Sequence, residues 1–121
     1  MKVVVTALAG TLDSQIDQRF GRAKFFIVID TATGSFEAAD NSVNLNAAQG
    51  AGIQSAANVA GLGAECVITG HVGPKAFSAL QAAGIKICAV SETMTVAEAV
   101  ERFKSGALKF ADGADVDGHW A

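Results

Sequence analysis

Two guanidiniums flank a glycine at Arg19-Phe20-Gly21-Arg22, just before the apolar run Phe25-Phe26-Ile27-Val28-Ile29. A guanidinium is permanently charged and planar, and its fork of N–H donors suits an oxyanion or a thio-anion. Gly21 lets backbone approach whatever is bound. Two other segments offer related chemistry. Gln49-Gly50-Ala51-Gly52 and Gly70-His71-Val72-Gly73 each precede a helical pattern. A helix N-terminus presents unpaired N–H groups and a positive dipole end. The candidate anion-binding residues are therefore Arg19, Gly21, Arg22, Gly50, Gly52, Gly70, His71 and Gly73. His71 is also the candidate metal ligand, because imidazole suits copper and the residue stands in a loop rather than within an apolar run.

Each candidate has a plainer alternative. Arg19 can equally pair with Asp13 or Asp17 in a structural salt bridge, and Arg22 adjoins a strand. Gly50 and Gly52 can serve only close helix–sheet packing; Gly50-x-Gly52 lacks the third glycine of a dinucleotide fingerprint. A loop histidine is more often idle than a ligand. His119 has a weaker claim than His71. Asp112, Asp115 and Asp117 do not match an EF-hand, since Gly113 stands at its first position and no glutamate closes the loop. Cys66 and Cys88 each lie in an apolar run, so both are expected as buried free thiols, and no Cys-x-x-Cys is present.

The elements that must position these residues follow from periodicity. Lys2 to Ala7 is a Val-rich run and predicts a central strand. The segment from Leu8 to Arg22 is a long loop, a class that tends to be functional. Lys24 to Asp30 predicts a second strand. A turn at Thr31-Ala32-Thr33-Gly34 leads to a third over Ser35 to Asp40, placed at an edge by Glu37 and Asp40. Ile53, Ala56, Ala57 and Ala60 then fall on one helical face. Cys66 to Thr69 is a short strand. Pro74 opens a helix carrying Phe77 and Leu80 and closed by Gly84; Ile85 to Val90 is the fifth strand. Thr95-Val96-Ala97-Glu98 has capping-box spacing, and the last helix runs to about Lys104.

The order β-β-β-α-β-α-β-α predicts an α/β protein with a mixed five-stranded sheet, helices on both faces, the first strand central and right-handed crossovers. All candidate loops then share one edge, where open α/β sheets bind ligands. Residues 1–110 are expected to form one domain, and residues 111–121 a polar, mobile tail.

Three segments carry a family resemblance. Thr11-Leu12-Asp13-Ser14 with Asp17-Gln18-Arg19-Phe20-Gly21-Arg22-Ala23 is similar to the opening signature of the dinitrogenase iron–molybdenum cofactor biosynthesis family. Ile68-Thr69-Gly70-His71-Val72-Gly73-Pro74-Lys75-Ala76 resembles its central motif, and Ala83-Gly84-Ile85-Lys86-Ile87 its next helix-to-strand junction. The set covers residues 1 to about 105 in order. The family includes NifX-type carriers, the C-terminal domain of NifB-type proteins and the small orange protein of sulfate reducers. A free-standing domain of this length most resembles the last branch. The resemblance implies a ribonuclease-H-like three-layer α/β/α fold. It also implies non-covalent binding of a molybdenum-containing sulfide cluster, with copper in the orange-protein branch. Such a molybdenum–copper sulfide cluster is anionic and polarisable, and can be held without a protein–metal bond.

Composition excludes several classes. The 121 residues are half apolar, which fits a packed domain; the net charge of −3 argues against a nucleic-acid footprint. No apolar run spans a membrane, so a soluble, cytoplasmic protein is expected. A two-metal nuclease needs a carboxylate on the first strand, and Lys2 to Ala7 has none. There is no P-loop, and Cys66 with His71 makes a poor nucleophilic pair. The expectation is a non-enzymatic, monomeric carrier or store for the cluster. The alternative is an interaction module acting on a partner ATPase or assembly complex without a cluster of its own. A carrier for phosphate or a nucleotide is a third, weaker reading.

Overall fold

Alternating residues of four strands enter two different cores, and that explains their unbroken apolar runs. The computed structural model describes residues 1–41 and 51–111. The strands are β1 (Lys2–Ala7), β2 (Phe25–Asp30), β3 (Phe36–Asp40), β4 (Cys66–Thr69) and β5 (Lys86–Ala89). The helices are α1 (Ala51–Gly61), α2 (Pro74–Ala82) and α3 (Val96–Lys104). The sheet order is β3-β2-β1-β4-β5, with β1 central as expected. β1 pairs antiparallel with β2 and parallel with β4; β4 continues parallel to β5.

Val3, Val5, Ile27, Ile29, Cys66, Ile68 and Cys88 pack with Val96, Ala99 and Val100 of α3. Val4, Phe26, Val67 and Ile87 point the other way, against Ala56 and Val59 of α1 and Phe77 and Leu80 of α2. β3 is the acidic edge, exposed along most of its length. The β2–β3 turn contains Gly34 at φ +79°, a conformation that costs glycine nothing.

The register of α1 differs from the sequence expectation. Ala56 is buried, but Ile53, Ala57 and Ala60 face solvent, and Ile53 is 47% exposed. The inward face is Gly52, Ser55, Ala56 and Val59, which has the same i, i+3, i+4, i+7 spacing shifted by one position. Alanine is equally at home on either side of a helix, so an alanine-rich pattern fixes period better than phase. Ser55 takes an inward position because its hydroxyl finds a partner there, as described below.

α3 follows expectation closely. The Thr95 side chain accepts from the Glu98 N–H at 3.1 Å, and the Thr95 N–H donates to Glu98 Oε1 at 3.0 Å. After α3 the chain returns to β5: Phe110 bridges Cys88, and the Ala111 N–H donates to the Ile87 carbonyl at 2.7 Å.

Candidate functional site

β1 ends at Ala7, and the loop that follows is tied back onto it. The Asp17 N–H donates to the Thr6 carbonyl at 2.8 Å. The buried Thr6 hydroxyl lies 2.7 Å from the Asp17 carbonyl oxygen and 2.7 Å from Thr69 Oγ1 of β4. Adjacent strands thus hold Asp17 at the carboxyl edge of the sheet. The loop next zips onto the segment leaving β4. The His71 N–H donates to the Gln18 carbonyl at 2.6 Å, the Phe20 N–H donates to the His71 carbonyl at 3.2 Å, and Arg19 bridges His71 in parallel fashion. Two of the three expected loops therefore meet through backbone.

Gly70 makes that meeting possible. A Cβ there would lie 2.6 Å from the Gln18 carbonyl oxygen and 2.7 Å from its Cα. Gly70 is thus required by close loop approach, whatever else it does.

Arg19 meets one of its two structural alternatives. Its Nε–H donates to Asp17 Oδ1 at 3.3 Å, while its side chain stays 41% exposed. Asp13 does not take part: its Oδ1 accepts from the Thr11 hydroxyl at 2.5 Å. Asp17 is 2% exposed and does more than pair. Oδ1 also accepts the Arg19 N–H at 3.1 Å, and Oδ2 accepts the Lys24 N–H at 3.3 Å. One carboxylate therefore ties both ends of the Arg19–Lys24 stretch. Arg22 and His71 are half-buried, and Gly21 is buried.

The third loop is seen in part. Gln49 and Gly50 lie outside the described residues; Gly52 is buried in the first turn of α1. One turn on, the Ser55 hydroxyl donates to the Gly21 carbonyl at 3.0 Å. The Asn41 side chain donates to the Ala23 carbonyl at 2.9 Å and approaches Ser55 Oγ at 3.4 Å. α1 and the end of β3 thus support the arginine loop from beneath. Ser55 and Asn41 were not singled out by sequence, and Asp17 was named only as a salt-bridge partner of Arg19, not as the buried tie of the whole loop. Asp17 had a signal, since an aspartate commonly bonds backbone two residues on, here at Arg19.

The helix N-termini at this edge differ. α3 is sealed by its capping box, and the Val96 and Ala97 N–H groups donate to the Ser14 and Leu12 carbonyls at 2.9 Å. α2 is preceded by Gly73 as its N-cap, which offers no side-chain cap; its first intrahelical bond is Phe77 N–H to the Gly73 carbonyl at 2.9 Å. The first-turn N–H groups and the dipole end of α2 stand beside His71. His119 lies outside the described residues.

Both cysteines are buried free thiols, with Sγ atoms 3.8 Å apart. The hydrogen bond to Cys88, with burial, holds the Cys66 thiol far above its ordinary range. Among the described residues, no three His, Cys, Asp or Glu side chains could jointly hold a metal ion.

The family model for the dinitrogenase iron–molybdenum cofactor matches residues 1–106. The chain belongs to that family. Its fold superimposes on the apo form of the orange protein from Desulfovibrio gigas with a TM-score of 0.93 at 46% identity, covering 95% of this chain and 96% of that one. A putative NifB protein from Thermotoga, solved by NMR, gives a TM-score of 0.83 at 32% identity over 97% and 98% of the two chains. An uncharacterized protein of Methanocaldococcus jannaschii is 27% identical over 113 residues, 90% of this chain and 94% of its own. This member of the dinitrogenase iron–molybdenum cofactor family carries the mixed five-stranded α/β fold of the orange protein. Among the described residues, no helix is long and apolar enough to cross a membrane.

Proposed function

We propose that this protein binds, stores or delivers an anionic molybdenum–sulfide cluster that also contains copper. The observation that carries the reading is the junction of Arg19 with His71 beside the N-terminus of α2, at the carboxyl edge of the parallel strands. Family membership and the 46% identity to the orange protein support the cargo class. Arg19 supplies N–H donors to sulfide or oxo groups, and Arg22 adds charge nearby. Gly21, Gly50, Gly52, Gly70 and Gly73 allow backbone to approach the cluster. His71 is the residue for a direct bond to copper. The protein acts as a carrier without turnover in the cytoplasm, and hands its cargo to cofactor-assembly proteins or a partner ATPase.

The test is anaerobic reconstitution of the apoprotein with tetrathiomolybdate and copper, followed by desalting, metal analysis and a visible spectrum. Retained molybdenum and copper at fixed stoichiometry, with a distinct charge-transfer spectrum, is the expected result. Colourless, metal-free protein with an intact fold overturns the reading and favours a partner-binding module.

A further inference from the structure

Arg19 is exposed enough to meet a ligand, yet it is held at one atom. Its Nε–H faces Asp17 Oδ1, and its own backbone N–H donates to the same oxygen. This pins the Nε edge of the guanidinium to the floor of the loop, so the outer nitrogens are the part left for a bound anion. Asp17 is buried, anchored through its backbone to β1, and satisfied on its other oxygen by the Lys24 N–H. A flexible surface arginine with no such clamp would lose rotamer freedom when it binds; a clamped one has already lost it. We propose that Asp17 is a positioning residue, which fixes the presented edge of Arg19 toward an anionic ligand at the expense of part of the local positive charge. This rests on the reading of the site as an anion-binding one.

The two effects of Asp17 have opposite signs. If its charge only neutralises Arg19, the Asp17→Asn variant should hold an anion more tightly. If it positions Arg19, that variant should hold the anion more weakly despite the added net positive charge. A charge-assisted hydrogen bond of this kind carries an effect on the order of tenfold in retention.

The experiment is a double-mutant cycle with tetrathiomolybdate and copper as the probe, using Asp17→Asn, Arg19→Ala and the double variant. The expected result is about tenfold weaker retention for Asp17→Asn alone, and no further loss when it is added to Arg19→Ala. Arg19→Lys keeps the charge but not the fork, and should fail as Asp17→Asn does. Tighter retention by Asp17→Asn, equal losses in both arginine backgrounds, or normal retention by Arg19→Lys each overturn the proposal. NMR of the apoprotein adds a readout that needs no cluster. The wild-type Arg19 Nε–H should give a resolved signal protected from solvent exchange, less protected in Asp17→Asn, whose uncharged amide oxygen is a weaker acceptor, and lost in Asp17→Ala. Absence of that protection in the wild type also overturns the proposal, even if Asp17→Asn unfolds. Wild-type protein that shows the protected signal but retains no metal refutes the cluster reading and, with it, the ligand part of the proposal.

Discussion

At the scale of residues, the site is a set of compromises between charge and contact. Arg19 keeps an exposed guanidinium while part of its charge is balanced by Asp17. Arg19→Ala should weaken cluster retention, and unchanged retention in a desalting assay would remove this residue from the site. Gly70 has a structural role beside the ligand-facing one proposed for it. With Gln18 backbone at 2.6 and 2.7 Å from any Cβ, Gly70→Ala must push the first loop away from His71. Backbone cannot yield as a flexible side chain does, so the cost should be about 1–3 kcal/mol, seen as a lower denaturant midpoint. Retention should fall with it, because the Arg19–His71 junction opens. The arginines, His71 and the glycines were legible as types suited to anions. Whether Arg19 met Asp13 or Asp17 was not, because both lie within reach along the chain and only the tie of Asp17 to Thr6 decides between them.

At the scale of elements, strands and caps were easier to read than helix phase. β1 and β4 have the bounds that their apolar runs predict, since both faces of those strands are buried. The Thr95–Glu98 box forms as its spacing requires. Thr95→Ala should cost about 1 kcal/mol in chemical denaturation. Hydrogen bonds from the Thr95 backbone and side chain hold the Glu98 carboxyl below its ordinary range. A carboxyl lowered in the folded state stabilises above its unfolded pKa, and that contribution is lost as pH falls through the folded value. The stability gap between wild type and Glu98→Ala should therefore narrow in acid, as denaturation curves at several pH values would show. α1 is where the pattern misled. Ile53 was expected inside and lies outside, because alanine and glycine on both sides leave the apolar stripe undefined. Ile53→Lys should change stability by less than about 0.5 kcal/mol, whereas Ala56→Leu, aimed into the core beneath the arginine loop, should cost about 1–3 kcal/mol. The reverse order of these two effects in thermal melts would contradict the observed register.

At the scale of the whole molecule, an acidic protein is proposed to hold an anion, and net charge and local contact act over different distances. The formal net charge is −3, and Asp112, Asp115 and Asp117 alone account for that excess of acid over base. Long-range repulsion slows the approach of a dianion such as tetrathiomolybdate, and salt screens it over a Debye length of about 10 Å at 0.1 M. The contacts proposed at Arg19 and the α2 terminus act at hydrogen-bond range, where screening is weaker. Added salt should thus speed association and leave dissociation nearly unchanged, which is opposite to the steep salt-induced loss of polyanion binding. Replacing the three aspartates together by asparagine should raise the association rate at low salt and flatten its salt dependence. Stopped-flow mixing of apoprotein with tetrathiomolybdate and copper between low and physiological ionic strength would measure both rates. An association rate that falls with salt in the wild type would mean that the field the approaching anion feels is set by the arginine loop rather than by net charge.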